Sequence, residues 1–297
     1  MIRNPQNDAE KGFQIGPQWF SVSTLEPGLY LAATPIGNLK DITIRVLEAF
    51  AGCDLVACED TRVTAKLLRH YGIKNQTLSY NEHNSDAVGQ RLLDEIKSGK
   101  AVVLASDAGM PLVSDPGFRL VKMANKKGIN IIPLPGASAP LTALIASGLP
   151  NETWTFSGFL PNKQKQRLKT LEAYETAQST LIFFESPKRL LASLTDMTAV
   201  FGQDRQACVA RELTKMHEEI ATGPLSDLCV RFSERDVKGE IVILVCGVRG
   251  EPVQDVKALL SELLQFHSVS SAAAEAAQLT GQSKRELYQL ALKLKDE

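Results

Sequence analysis

The sequence predicts an α/β protein made of two α/β domains and a small helical tail. Short apolar runs alternate with segments of helical periodicity along most of the chain, a pattern typical of largely parallel sheets. A break is predicted at residues 148–151, where Gly, Leu, Pro and Asn follow one another. After Gly247 no run has strand character. The predicted segments are an extension over 1–28, α/β domains over 29–148 and 149–247, and a tail over 248–297.

The elements are predicted in order along the chain. Residues 1–28 are polar and aperiodic, which predicts a disordered extension. The predicted strands are Leu29 to Ala33, Asp54 to Cys58, Ala101 to Ala105, Ile129 to Pro133, Thr155 to Phe159, Leu181 to Phe184, Ala207 to Arg211 and Ile241 to Cys246. The predicted helices start at Asp41 and near Thr61, and cover Asp86 to Lys97, Phe118 to Lys127, Lys163 to Thr176 and Pro187 to Phe201. In the tail, Ser270 to Leu279 and Ser283 to Leu294 flank a short turn, which resembles a helix-turn-helix and also fits any helical hairpin.

The composition excludes several classes of protein. The net charge of −1 over 297 residues is not that of a general nucleic-acid binder, so any RNA contact needs a local basic patch. Five scattered cysteines without a Cys-x-x-Cys pair argue against a disulfide framework and a zinc site, and favour a reducing cytoplasm. No membrane-spanning run or secretory leader is predicted. Dinucleotide, Walker A and zinc-protease motifs are missing, and the four histidines lack metal-ligand spacing, so no metal is expected.

Loops rich in Gly and Pro follow several predicted strands. They are Ala33 to Asn38, Ser106 to Pro111, Ser114 to Gly117 and Pro135 to Ala139. Ligands of open α/β sheets bind at the carboxyl ends of strands, and glycine permits close approach of the backbone. Ile36, Met110 and Pro111 suit a flat uncharged ring, and Asp107 can accept from hydroxyls or an ammonium. This combination fits a nucleoside ligand with little phosphate, although each loop alone also fits an ordinary turn.

The same loops carry a resemblance to a known family. The stretches are LYLAATPIGNLKDITI (29–44), CEDTRVT (58–64), ASDAGMPLVSDPG (105–117), PGASA (135–139), SGFLP (157–161) and FFESPKR (183–189). Together they resemble the tetrapyrrole methylase superfamily from about Leu29 to Cys246, and the tail is similar to an extra domain of its RNA-modifying branch. Ser106-Asp107-Ala108 stands where the porphyrin branch has Gly-Asp-Pro, and the first loop also departs from that branch. Both departures favour RNA as the substrate.

The resemblance implies S-adenosylmethionine as methyl donor, bound in the cleft between the two α/β domains. It implies a homodimer that methylates a cytidine ribose 2′-hydroxyl in 16S rRNA of the small ribosomal subunit. The implied donor contacts are Thr34, Pro35, Ile36, Gly37, Asp107, Ala108, Gly109, Met110, Ala137 and Ser138. Three alternatives stay open: a tetrapyrrole or other small-molecule methylase, a non-catalytic helix-turn-helix protein that binds nucleic acid, and a protein methylase of the diphthamide pathway.

Basic residues occupy the first turns of two predicted helices, where the helix dipole opposes them. Lys163, Lys165 and Arg167 follow a predicted cap at Asn162, and Lys188 and Arg189 follow Ser186-Pro187. We interpret these residues as binding RNA phosphates beside the cleft, although a solvated helix face would look the same.

A ribose hydroxyl is hardly ionised at neutral pH, so a general base or a cation near the developing alkoxide would assist methyl transfer. The catalytic candidates in the matching loops are Asp60, Arg62, Lys188, Arg189 and Glu212, with Glu59 and Arg211 beside them. Charged clusters of this kind are equally typical of structural ion pairs, and the sequence does not rank them.

Overall fold

The computed structural model describes residues 11–82, 84–248, 256–280 and 283–296. These residues divide into two compact units. The first contains residues up to 174 together with 180–246, and the second contains 175–179 together with the residues from 247 onward. Both α/β sheets belong to the first unit. Within the described residues, no helix is long and apolar enough to span a membrane.

The first half of the chain forms a hairpin and a parallel sheet. Its strands are β1 (Gly12–Ile15), β2 (Gln18–Ser21), β3 (Gly28–Ala32), β4 (Leu55–Cys58), β5 (Thr77–Ser79), β6 (Ala101–Ala105) and β7 (Ile131–Leu134). Its helices are α1 (Ile44–Gly52), α2 (Thr61–His70), α3 (Ser85–Lys97), α4 (Phe118–Lys126) and α5 (Ala139–Ser147). The sheet has the order β5-β4-β6-β3-β7 with every pair parallel, so the carboxyl ends of these strands share one edge. Buried apolar clusters cover both of its faces.

The disordered extension predicted over 1–28 is wrong for residues 11–27, while residues 1–10 lie outside the described part of the chain. Strands β1 and β2 pair antiparallel around a turn in which Gly16 has a φ of 59°. The ring of Phe13 is 1% exposed and stacks on Phe20 at a centroid distance of 5.1 Å. Phe13 packs into the cluster that contains α1, so tertiary burial holds a hairpin that would be marginal alone.

The second half forms a mixed sheet. Its strands are β8 (Trp154–Phe159), β9 (Thr180–Glu185), β10 (Gln206–Arg211), β11 (Glu219–Pro224) and β12 (Ile241–Val245), and its helices are α6 (Gln164–Glu172), α7 (Leu190–Phe201) and α8 (Leu225–Ser233). The order is β11-β10-β12-β9-β8, and only β8 and β9 are parallel. The largely parallel character predicted for both sheets therefore holds for the first alone. A short loop joins β10 to β11, whereas a parallel pair needs a crossover of a dozen or more residues.

The tail is helical, as predicted, with one helix more than the sequence indicated. It contains α9 (Val256–Leu263), α10 (Val269–Thr280) and α11 (Lys284–Asp296). Its apolar residues form a separate small core, in which Leu260, Ala273, Ala276, Leu287 and Ala291 are buried. The tail thus has a core of its own.

Candidate active site

Two loops at the carboxyl edge of the parallel sheet are fastened to each other. Thr34, after β3, and Gly109, after β6, exchange backbone hydrogen bonds of 2.9 Å in both directions. The Thr34 hydroxyl is buried and donates to the carbonyl of Ser106 at 3.2 Å. This bridge holds the chain around Ile36 and the chain around Asp107 side by side, so both can form one wall of a site.

A cavity of about 390 Å³ opens beside this wall. From the first half of the chain it is lined by Ile36, Asp107, Ala108, Gly109, Met110, Val113, Ser114, Asp115, Ser138, Ala139 and Pro140. From the second half it is lined by Phe159, Phe184, Glu185, Ser186, Pro187, Ala210, Leu213, Gly239, Glu240, Ile241 and Val242. Its size lies within the range of small-molecule sites, roughly 300–1,000 Å³. Its walls are largely apolar with a few convergent carboxylates, which suits a ligand that has an uncharged ring and a cationic group.

Six of the ten predicted donor contacts line this cavity: Ile36, Asp107, Ala108, Gly109, Met110 and Ser138. The other four lie beside it. Thr34 makes the bridge just described, and Pro35 follows it in the loop. Gly37 lies against the loop after β10, where a Cβ atom would come within 2.8 Å of the Leu213 carbonyl oxygen. The carbonyl of Ala137 faces Gly109.

The loop after β6 has a strained backbone. Gly109 has a φ of 80°, and the non-glycine residues Leu112 and Ser114 have φ values of 72° and 64°. A Cβ atom on Gly109 would lie 3.3 Å from Ile36 Cγ2. Left-handed conformations at non-glycine residues cost of order 1–3 kcal/mol each and persist where the surrounding structure enforces them, often at functional sites.

A second, open cleft of about 930 Å³ adjoins the first cavity. It is polar, and its lining residues are Glu59, Asp60, Thr61, Arg62, Ser79, Asn81, Glu82, Asp107, Ser114, Asp115 and Pro116. Three residues, Asp107, Ser114 and Asp115, line both spaces and form their shared border. The Asp60 backbone N–H donates to Asp107 Oδ1 at 3.0 Å across this border. An apolar cavity thus borders a carboxylate-rich cleft.

Asp60 and Arg62, two of the catalytic candidates, form an ion pair on the wall of the cleft. Arg62 Nη2 lies 2.6 Å from Asp60 Oδ2, and the Arg62 side chain is 86% exposed. Its hydrogen bonds to the carboxylate lower the pKa of Asp60 to about 2. Asp60 also caps α2 by accepting the Arg62 backbone N–H. A carboxylate of such low basicity is a poor proton acceptor.

Two other carboxylates of the cleft are shifted in the opposite direction. Burial, followed by the charge of Asp107, raises the pKa of Glu59. Burial, followed by the charge of Glu59, raises the pKa of Asp115 to about 6. Carboxyl groups with a raised pKa are typical of acid–base sites, although structural clusters show the same behaviour.

Glu212 does not line either space. Its side chain lies against Gly239, and its carboxylate accepts from Lys215 Nζ at 2.8 Å and from the Glu240 N–H at 2.9 Å. Its φ of 52° is left-handed. These contacts hold the turn before β12 against the loop after β10, which is a structural role, and the catalytic role of Glu212 stays a prediction.

The guanidinium of Arg189 makes its contacts within the chain, which corrects its predicted contact with phosphate, while its catalytic role stays a prediction. Its guanidinium pairs with the buried Glu185 at 2.6 Å and donates to the Leu160 carbonyl at 3.0 Å. It also donates to Ser186 Oγ and to Asn162 Oδ1. The side chain of Asn162, which was predicted to cap α6, is thus bonded to Arg189. Helix α6 begins one residue later than predicted, and Lys163 takes the cap position.

Arg167 is buried, which rules out the predicted RNA contact. It pairs with the buried Asp196 at 2.7 Å. The remaining predicted basic residues, Lys163, Lys165 and Lys188, are exposed. Lys163 follows Asn162 in the chain and Lys188 precedes Arg189, and a hydrogen bond joins Asn162 to Arg189. Pro187, which precedes Lys188, lines the cavity. A smaller group of three lysines, here called the lysine rim, therefore replaces the predicted basic cluster.

Sequence reasoning missed the residues that the second half contributes to the cavity. Phe159 and Phe184 lie on its wall with ring centroids 5.3 Å apart. Both stand in the motifs that carry the family resemblance, but a sequence does not show which apolar side chains face a cavity. Asp115 stands in one of the predicted ligand loops, and only the placement of the two spaces sets it at their border.

Two α/β halves with a cavity at the carboxyl edge of a parallel sheet, where ligands of open α/β sheets bind, define an α/β class of protein. Residues 28–229 match the family model of tetrapyrrole (corrin/porphyrin) methylases. Residues 250–295 match the model described as the RsmI C-terminal HTH domain. The chain belongs to the tetrapyrrole methylase family.

Relatives with curated names are similar along most of the chain. The ribosomal RNA small subunit methyltransferase I of Mesorhizobium japonicum is 50% identical over 285 residues, which cover 95% of this chain and 97% of the relative. The protein of the same name from Escherichia coli O157:H7 is 44% identical over 89% of this chain and 94% of its own length. The similarity to both extends across the sheets and into the tail.

Solved structures share the fold. Cobalt precorrin-4 methyltransferase superposes with a TM-score of 0.57 at 18% identity, over 73% of this chain and 94% of its own. Diphthine synthase superposes with a TM-score of 0.58 at 18% identity, over 76% of this chain and 90% of its own. Uroporphyrin-III C-methyl transferase from Thermus thermophilus was solved in complex with S-adenyl homocysteine. It superposes with a TM-score of 0.52 at 14% identity, over 74% of this chain and 97% of its own. The same fold thus occurs in several methyltransferases.

Proposed function

We propose that this protein is an S-adenosylmethionine-dependent methyltransferase that modifies the ribose 2′-hydroxyl of a cytidine in 16S rRNA of the small ribosomal subunit. One observation carries the proposal: an apolar cavity with the size of a small-molecule site shares Asp107, Ser114 and Asp115 with a polar cleft at the edge of the sheet. The first space suits the donor and the second suits the acceptor. The relatives that match nearly the whole chain bear the name of an rRNA methyltransferase, which supports RNA as the acceptor.

The lining of the cavity fits the donor. Ile36, Phe159 and Phe184 offer apolar surface to an adenine ring. The carboxylates of Asp107 and Glu240 offer hydrogen-bond acceptors to ribose hydroxyls and the amino group. The donor supplies a methyl group on a positively charged sulfur, and the protein has to align the acceptor oxygen with that methyl group and exclude water. A pair of bonded loops and a strained backbone provide a rigid frame for this alignment.

The acidic character of the cleft fits a nucleoside that enters the cleft while its phosphates stay outside. Carboxylates accept hydrogen bonds from ribose hydroxyls and from the amino group of cytosine. The phosphate backbone has to lie outside the cleft, because carboxylates repel it. The lysine rim offers positive charge for that backbone on the second half of the chain. A homodimer that acts in the cytoplasm completes the proposal.

The lysine rim leads to a prediction about salt. Replacing Lys163, Lys165 and Lys188 together with alanine should flatten the log–log salt dependence of RNA binding by roughly 0.7 for each phosphate of single-stranded RNA that the protein no longer neutralises. RNA affinity at low salt should fall, while donor affinity stays the same because none of the three lysines lines the donor cavity. Fluorescence anisotropy with a labelled RNA fragment across a salt series measures both slope and affinity.

Lys126→Ala is the matched control for this experiment. Lys126 is also exposed but lies in the last turn of α4, and it lines neither the cavity nor the cleft. Its slope should equal that of the wild type. Parallel lines for the triple variant and the wild type would show that the lysine rim is a solvated surface that does not touch RNA.

The function itself is tested by methyl transfer. The protein is incubated with donor labelled in the methyl group and with small ribosomal subunits that lack the modification. We expect label in 16S rRNA on a ribose that becomes resistant to alkaline cleavage at its 3′ side. Label on a base or on a ribosomal protein, or no transfer of label to the subunits, would contradict the proposal.

A further inference from the structure

The border between the two spaces is where the reaction has to take place. This inference rests on the proposed function: the donor fills the apolar cavity and the acceptor nucleotide enters the polar cleft. The methyl carbon and the hydroxyl oxygen must come into contact, and the two spaces meet at Asp107, Ser114 and Asp115. A group that removes the hydroxyl proton has to lie within hydrogen-bond reach of that oxygen. These three residues are therefore the candidates for the base.

Two of the three are poorly suited to the task. Asp107 Oδ1 accepts the backbone N–H of Asp60, so this carboxylate already fixes the turn after β4. Ser114 carries a hydroxyl, which is not a base at neutral pH. Asp115 lines both spaces, and the Ser106 hydroxyl lies close to its carboxylate.

The backbone holds Asp115 firmly at the border. Leu112 and Ser114 are both left-handed, and Gly117, with a φ of 139°, closes the loop. A Cβ atom on Gly117 would meet Leu104 at 3.0 Å and Leu112 at 3.1 Å, so the end of the loop packs tightly on β6. A strained segment that the core enforces is a typical means of pre-positioning a side chain.

We propose that Asp115 is the general base of methyl transfer. Its carboxylate accepts the proton of the ribose 2′-hydroxyl while the hydroxyl oxygen forms a bond to the methyl carbon and the carbon–sulfur bond breaks. The electron pair of that bond stays on sulfur, and the positively charged sulfonium becomes a neutral thioether. The carboxylate becomes a carboxylic acid, so the charge of the reacting groups is zero before and after the step.

The electrostatic surroundings of Asp115 agree with this role. Burial, then the charge of Glu59 and that of Asp107, raise the pKa of Asp115 to about 6, and the Ser106 hydroxyl acts in the opposite direction. The other charged groups facing the cleft are Asp60 and Arg62 after β4 and Glu82 after β5. A base with this pKa is ionised at neutral pH and more basic than an ordinary aspartate, which is close to the optimum for general-base catalysis.

The test compares Asp115→Asn with the wild type in single-turnover methylation of small ribosomal subunits. We expect the rate to fall by about 100- to 10,000-fold, the usual contribution of a general base, while donor affinity by calorimetry stays within about threefold of the wild type. Asp115→Glu keeps a carboxylate and should recover part of the rate. Asp86→Asn is the matched control, because this carboxylate is 82% exposed on α3, outside both spaces, and its loss should leave the rate unchanged.

A pH series separates the role of Asp115 from a structural one. The base must be ionised, so the wild-type rate should rise with pH and level off above about pH 6, and this rise should be absent in Asp115→Asn. Glu59→Gln removes the neighbouring charge that raises the pKa of Asp115, so the remaining rise should move to lower pH. Wild-type transfer with an undiminished Asp115→Asn rate would overturn the role of Asp115 and leave the proposed function standing. Loss of donor binding in Asp115→Asn would overturn it too, and absence of transfer by the wild type would overturn both proposals.

Discussion

Replacing Gly109 with valine should weaken S-adenosylmethionine binding by at least about 100-fold while the protein stays folded. Gly109 lines the cavity, has a φ of 80°, and leaves 3.3 Å between an added Cβ atom and Ile36 Cγ2. The two Cγ atoms of valine extend beyond that Cβ atom, so they occupy space that the donor needs. A left-handed backbone also costs a residue with a Cβ roughly 1–2 kcal/mol. Calorimetric titration with the donor measures the affinity, and circular dichroism confirms the fold.

Gly128→Val separates the loss of space in the cavity from the strain of a left-handed backbone. Gly128 follows α4, has a φ of 66°, and would place a Cβ atom with no neighbour within 4 Å. It therefore carries a similar backbone strain at a distance from the cavity, and its donor affinity should equal that of the wild type. Normal donor binding by Gly109→Val would show that the donor site lies elsewhere.

Replacing Arg167 with alanine should lower the free energy of unfolding by about 3–5 kcal/mol, because removal of one partner leaves the other charge buried without its counterion. The two side chains are only 5% and 4% exposed, and Asp196 also accepts from Gln164 Nε2 at 2.9 Å. Urea denaturation measures the change. RNA binding at a temperature where the variant is folded should keep the salt slope of the wild type, in contrast to the variant of the lysine rim.

Lys165→Ala is the control for this prediction, since Lys165 is exposed on the same helix and its loss should change stability by less than about 0.5 kcal/mol. Arg167→Leu combined with Asp196→Leu should be more stable than either single variant, because an apolar pair leaves no uncompensated charge. A decrease in stability of less than about 1 kcal/mol in Arg167→Ala would contradict the structural role of this pair.

The fate of Arg167 and Arg189 shows where sequence reasoning stops. Both stand near the start of a helix, where the helix dipole disfavours a positive charge. Their position therefore led to the prediction that each arginine binds an RNA phosphate. The real partners are carboxylates of the same chain, Asp196 twenty-nine residues further on and Glu185 on the preceding strand. Periodicity indicates which face of a helix is apolar, but it does not show which distant carboxylate packs against a particular arginine.

Four of the five strands of the parallel sheet were predictable, because β3, β4, β6 and β7 are short apolar runs followed by a helical segment. The edge strand β5 was missed, because Thr77–Ser79 has only three residues and is not an apolar run. Strand β11 was missed because exposed and intermediate residues dominate Glu219–Pro224, in which only Ala221 is buried, and an edge strand needs no continuous apolar run. The donor loops were recognisable from Gly, Pro and Asp at the strand ends. The position of Asp115 at the border of the two spaces was not recognisable, because it depends on how the two spaces meet in the folded protein.

The loop after β10 has a consequence for the internal motions of the protein. Thr214, left-handed at a φ of 64°, accepts the backbone N–H of Asn38 through its Oγ1 at 3.0 Å. A residue next to the second sheet thereby protects an amide of the first half, and Leu213 beside it lines the cavity. Exchange of the Asn38 amide with deuterated solvent requires this hydrogen bond to open. The lifetime of one amide proton therefore reports how often the two halves separate, and a ligand that contacts both walls lengthens it.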